Sequence, residues 1–156
     1  MFSSDKAFWE TPQKLYDELN AKYHFTLDAA ASKSNHKCDK YYTEEDNGLE
    51  QDWGGETVFV NPPYGAKETG VWTKKCYEES AKPGTTVVLL IPARTDRASF
   101  HDYIYKMDRA KVEFIRGRLK FEINGQPIRD KYGRAVGAPF PSMVVVFRSP
   151  EQIMRR

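Results

Sequence analysis

The sequence predicts an α/β fold, a mostly parallel sheet with helices between its strands, and three features carry that expectation. Two apolar runs, Thr57-Val58-Phe59-Val60 and residues 86–91, are each stopped by proline, as buried strands are. Segments with apolar residues at helical spacing lie before and between them. Polar, turn-forming stretches separate the pieces, so strand and helix alternate along the chain.

Taken in order, Thr11 reads as the N-cap and Pro12 as the first residue of a helix that presents Leu15, Tyr16 and Leu19 and ends near Lys22. His24-Phe25-Thr26-Leu27 reads as a short strand ending at Asp28, with a tight turn in the small residues Ala29-Ala30-Ala31-Ser32. Residues 33–56 are polar and punctuated by Asn47, Gly48, Gly54 and Gly55, so a long loop or several short pieces is expected there. The strand at 57–60 runs straight into Asn61-Pro62-Pro63-Tyr64-Gly65. A helix over 71–81 and a turn at Lys82-Pro83-Gly84 lead to the strand at 86–91, halted by Pro92. A helix near 98–107, a strand at 112–115, a strand or hairpin over 118–123, a polar stretch over 124–137 and a last strand at 144–147 complete the pattern. No internal repeat interrupts it.

The totals set bounds. A chain of 156 residues, 40% hydrophobic, can bury one sizeable core, so a single domain over 1–156 is expected. A net charge of +2 says little about partners. Two cysteines and no apolar leader point to the cytoplasm, and the apolar run at 87–92 is too short for a bilayer, so no membrane partner is expected. His36, Cys38, Cys76 and His101 lack metal-site spacing, so no metal is expected either.

Chemistry concentrates at Asn61-Pro62-Pro63-Tyr64. In an open α/β sheet, ligands bind beyond the carboxyl ends of the strands, where this motif falls. An exocyclic amine on adenine or cytosine is a poor nucleophile because its lone pair is delocalised into the ring. Two acceptors, the Asn61 side-chain oxygen and the Pro62 carbonyl, would draw that nitrogen toward tetrahedral geometry. Pro62 and Pro63 stiffen the carbonyl's direction, and Tyr64 offers a flat face for a base removed from its stack. A polar turn ending a strand is the plainer reading of the same four residues.

The motif order resembles the small phage and prophage DNA N6-adenine methyltransferases of the Dam type, over most of the chain. Trp9-Glu10-Thr11-Pro12 resembles the segment that holds the methionine end of the cofactor. Phe25-Thr26-Leu27-Asp28-Ala29-Ala30-Ala31 resembles the first cofactor-binding strand and turn, and Asp52-Trp53 stands where an acidic-aromatic pair meets the cofactor's adenine. Asn61 to Tyr64 matches the catalytic motif, and Arg116-Gly117-Arg118-Leu119-Lys120-Phe121 resembles a further family stretch.

The resemblance implies a Rossmann-like methyltransferase sheet with a C-terminal antiparallel hairpin, shortened between the first and fourth strands. It implies S-adenosylmethionine as cofactor, held by Trp9, Thr11, Pro12, Asp28, Ala29, Ala30, Asp52, Trp53 and Asn61. Double-stranded DNA with a flipped base is the implied partner, and Arg94, Arg97, Arg116, Arg118 and Lys120 are candidates for its phosphates. The implied setting is the bacterial host cell of a phage or prophage. The turn after Asp28 departs from the family by carrying no glycine, and Asp39, Glu44 and Asp46 all stand open as the ribose-binding acid. With no long insertion for a recognition domain, recognition falls to loops such as 124–139 or to a second subunit of a homodimer. Alternatives are N4-cytosine, RNA-base or protein-glutamine methylation, which present a similar nitrogen to the same acceptors, or a catalytically silent nucleic-acid-binding module.

Overall fold

A computed structural model describes residues 9–154. Five strands form one sheet: β1 (Leu27–Asp28), β2 (Thr57–Val60), β3 (Thr86–Pro92), β4 (Ala110–Phe114) and β7 (Ser142–Arg148), in the order β1-β2-β3-β7-β4. The first three pair in parallel, and β7 lies antiparallel between β3 and β4. The sheet is therefore mixed rather than mostly parallel in its pairings, because the last strand to be made inserts into it. The hairpin is a separate piece, β5 (Glu122–Ile123) with β6 (Gln126–Pro127), and it precedes β7 instead of ending the chain.

Strand β3 is buried at all seven positions, flanked by β2 and β7. Each Val, Leu or Ile so covered contributes roughly 1.5–3 kcal/mol, which is why an unbroken apolar run rather than an alternating one occupies the centre. Among the described residues four helices cover the sheet and its ends: α1 (Gln13–Tyr23), α2 (Ala66–Glu79), α3 (Ala98–Tyr103) and α4 (Pro150–Met154). One face packs Trp53, Trp72, Cys76 and Phe100 on the sheet; the other packs Phe121, Ala138 and Phe140 on Val88, Leu90, Val144 and Val146.

Several boundaries differ from those read in the sequence. Helix α1 begins at Gln13, with Pro12 at the cap position and no side-chain cap, since the Thr11 hydroxyl is engaged elsewhere. Helix α2 starts five residues before the expected 71, directly after Gly65. The expected strand through His24 shrinks to two residues, because His24 takes the left-handed conformation that closes α1. Helix α3 stops at Tyr103, well short of 107.

Residues 29–56 contain one short 3-10 turn, Gly48–Glu50, and no strand. They still cover the outer edge of β1: Tyr41 forms a parallel bridge with Asp28, and backbone bonds join Asp28 to Lys40 and Tyr42. An exposed strand edge is thus paired without a full strand. Among the described residues no helix is long and apolar enough to cross a membrane.

Candidate active site

Three parallel strands end side by side. Asp28 closes β1, Asn61 follows β2, and Arg94 lies just beyond β3; the register sets Asp28 opposite Phe59 and Val60 opposite Leu89. Two cavities open at these ends. The larger, about 420 Å3, is lined by Trp9, Glu10, Thr11, Asp28, the small residues Ala29 to Ser32, Asn47, Gly48, Asn61 and Pro63. The smaller, about 250 Å3, is lined by Trp9, Tyr64, Ile91, Arg94, Arg97, Phe140 and Met143. Asn61 and Pro63 line the larger cavity and Tyr64 the smaller, whereas Pro62 is buried between them in the chain and lines neither.

The Asn61 amide makes three hydrogen bonds. Its Nδ2 donates to the Trp9 carbonyl and to Thr11 Oγ1, both at 2.9 Å, and its Oδ1 accepts from the Tyr64 hydroxyl at 2.6 Å. The Tyr64 hydroxyl also lies 3.2 Å from the Leu90 carbonyl, a second acceptor. Burial pushes this phenol well above the usual tyrosine range, so it remains a neutral donor. The Tyr64 ring stands edge-on to Phe121 and Phe140, at 82° and 83°, which fixes its plane. Trp9 stacks on Phe140 with ring centroids 5.3 Å apart, and Glu10 forms an antiparallel bridge with Glu122. Residues 9–11 are therefore a strap between the hairpin and Asn61.

Asp28 is buried, and its carboxylate closes the larger cavity's rim by accepting from the amides of Lys37 at 2.9 Å and Ala30 at 3.4 Å. Burial raises its pKa, and the two amides pull against that rise. Gly48 lies against the turn after β1, where a Cβ would overlap the Ala29 carbonyl oxygen. The two backbones can pack this closely because residue 48 carries no side chain. Sequence reading had marked Gly48 only as a turn former; its partner at Ala29 lies 19 residues away, beyond any local pattern.

Other predicted residues scatter. Pro12 precedes α1 and lines neither cavity. Asp52 and Trp53 also line neither. The Asp52 side chain is 78% exposed and pairs with Lys82 at 2.8 Å, whose hydrogen bond holds the Asp52 carboxyl below its usual range. Trp53 is fully buried, stacked on Trp72, and its Nε1 donates to the Gly48 carbonyl at 3.0 Å. It reaches the larger cavity indirectly, through Gly48 and Trp72, which both line it. Of the three candidate acids for a ribose, Glu44 lines that cavity, whereas Asp39 and Asp46 do not.

Among the basic candidates, Arg94 and Arg97 border the smaller cavity. The Arg94 guanidinium lies over the Phe140 ring at 5.6 Å, and Arg97 donates to the Ala66 carbonyl at 3.2 Å. Arg116, Arg118 and Lys120 are exposed on the segment between β4 and β5 and line neither cavity. Phe140, which sequence reading passed over, packs against Trp9 and Tyr64 together.

Comparison with known proteins gives the family. A DNA N-6-adenine-methyltransferase of Escherichia phage T1 is 32% identical over 119 residues, covering 75% of this chain and 48% of its own length. A DNA N-6-adenine-methyltransferase of Haemophilus phage HP1 is 34% identical over 90 residues, covering 56% of this chain and 51% of its own. The chain thus spans about half the length of these relatives or less. A family model described as DNA N-6-adenine-methyltransferase (Dam) matches residues 1–155, nearly the whole sequence. The chain belongs to the DNA N-6-adenine-methyltransferase (Dam) family.

Proposed function

We propose that this chain transfers a methyl group from S-adenosylmethionine to N6 of adenine in DNA, on a Rossmann-like methyltransferase sheet shortened after its first strand. The observation that carries the reading is the Asn61 amide at the end of β2, which lines the larger cavity and is hydrogen-bonded to Tyr64, a wall of the smaller one. The larger cavity fits a nucleoside-sized cofactor in volume, and its floor of Ala29, Ala30 and Gly48 leaves backbone within reach. Trp9, Asp28, Ala29 and Ala30 would hold it, with Asn61 at the inner end. When bound, S-adenosylmethionine supplies an electrophilic methyl group on sulfur.

The smaller cavity takes the target base, walled by Tyr64 and Phe140 and bordered by Arg94 and Arg97. There the amine donates to Asn61 Oδ1 and to the Pro62 carbonyl, which localises the nitrogen lone pair. The Tyr64 hydroxyl releases Asn61 Oδ1 by turning to the Leu90 carbonyl, so no buried hydroxyl is left unpaired. Residues 116–134 hold six basic side chains and two acidic ones, a net +4 in a chain whose total is +2. Arg116, Arg118 and Lys120 lie in that stretch and would meet the phosphates of the duplex. Two phage relatives support a place in the cytoplasm of a bacterial host.

The test is incubation with methyl-labelled S-adenosylmethionine and mixed-sequence DNA, followed by nucleoside analysis. Label on N6 of adenine is expected. Label on cytosine N4, or on RNA with DNA untouched, would replace the substrate assignment, and no transfer to any nucleic acid would end it.

A further inference from the structure

An amide has two ends, and only one of them can activate an amine. Turned by 180°, Asn61 would present NH2 to the incoming nitrogen, a donor facing a donor. The structure leaves no ambiguity about which end is which: the Trp9 carbonyl can only accept, so the Asn61 atom 2.9 Å from it must be the nitrogen. Thr11 Oγ1 takes the second amide proton at 2.9 Å, and Thr11 is 2% exposed, so water does not compete for that bond. Both protons of the amide are thereby committed to residues 9–11, and the oxygen is left toward Tyr64.

We propose that Thr11 is a positioning residue for Asn61: its hydroxyl, with the Trp9 carbonyl, locks the amide so that the oxygen faces the target amine. This inference rests on the methyltransferase reading and reassigns Thr11, which the family resemblance alone would make a cofactor contact. It also explains why an amide suits this site better than a carboxylate. Asp at position 61 would set a negatively charged oxygen against the Trp9 carbonyl, two acceptors in contact with no proton between them.

The experiment compares Thr11→Val, Thr11→Ser and Asn61→Asp in the full chain, with two independent readouts. Turnover on DNA and cofactor affinity by calorimetry form one. The side-chain amide proton resonances of Asn61, in protein labelled with 15N at asparagine and assigned by their loss in Asn61→Ala, form the other. In Thr11→Val, kcat is expected to fall roughly tenfold to hundredfold, the rate equivalent of one buried donor left unpaired, with cofactor Kd within about twofold. One Asn61 amide proton should move upfield and exchange faster, and Thr11→Ser should restore both rate and resonance.

Asn61→Asp should lose turnover although it keeps the shape and an acceptor; full activity there would overturn the lock. Equal loss of cofactor affinity in Thr11→Val and Thr11→Ser, or an unchanged Asn61 resonance in Thr11→Val, would overturn it too. If the wild-type chain transfers no methyl group, the function assignment fails, and the resonance comparison still decides whether Thr11 holds Asn61.

Discussion

Asn61 follows a strand paired on both sides, and its amide is held by two hydrogen bonds donated to residues 9 and 11 and one accepted from Tyr64. The wall across the larger cavity, residues 29–53, is assembled differently: it contains one 3-10 turn and one bridge to β1. Its position depends on a few side chains, Asp28 holding Lys37 and Ala30, Trp53 holding Gly48, and Glu79 holding the Trp53 amide at 2.7 Å. The first wall is set by sheet register, the second by individual buried polar contacts. Substitutions on the two should therefore separate chemistry from binding.

The largest separation is expected at Asn61. Asn61→Ala removes the acceptor proposed to act on the target amine, so kcat should fall about 10^2- to 10^3-fold while cofactor Kd changes little. Single-turnover rates alongside titration calorimetry would measure both. Equal loss in both quantities would merge the two walls into one functional unit.

Asp28→Ala should show the opposite pattern. It leaves the Lys37 and Ala30 amides without their buried acceptor and frees the cavity's rim, so cofactor Kd should rise roughly tenfold to hundredfold. The rate at saturating cofactor should stay close to wild type. A large fall in saturated kcat with unchanged Kd would place Asp28 on the chemical side.

This contrast also explains what could be read from the sequence. The β2 and β3 runs and the motif between the cavities were legible because proline-stopped apolar runs are local signals; β2 is found at 57–60 as read and β3 extends one residue past 91. The antiparallel insertion of β7 was not legible, since its seven residues look like any buried strand and their partners lie on β3 and β4. Nor was the second wall. Gly48 against Ala29, and Glu79 under Trp53 from 26 residues away, are contacts made by residues 29–56, a stretch that carries no periodicity. Thr11 read as a cap because Thr-Pro starts helices, and only the fold brings it to Asn61.

Glu79 tests how firmly the second wall is anchored. Burial acts against its charge, but hydrogen bonds from Lys82, the Trp53 amide and Lys75 outweigh burial and hold its carboxyl below the usual glutamate range. A depressed acid stabilises the fold at pH values above its unfolded pKa, about 4.3, and that contribution disappears as pH falls through the depressed value. Glu79→Gln should thus lower stability by about 1–2 kcal/mol at pH 7 and by less at an acidic pH below the unfolded value. Denaturant titrations at both pH values give the comparison, and a gap that widens in acid would reverse the assignment.

The smallest effects are expected within the adjacent pair Asp52 and Trp53, which the family resemblance assigns jointly to the cofactor. Asp52 faces solvent and Lys82, and a solvent-accessible ion pair is worth little, so Asp52→Asn should leave cofactor affinity unchanged. Trp53→Phe keeps an aromatic ring against Trp72 but deletes the indole donor to the Gly48 carbonyl. One net hydrogen bond corresponds to about a twofold to tenfold weakening of cofactor binding, transmitted through the Gly48 backbone. Calorimetry on the two variants distinguishes a direct contact from a support: if Asp52→Asn weakens binding as much as Trp53→Phe, the pair reaches the cofactor itself and residues 48–53 must move inward when it binds.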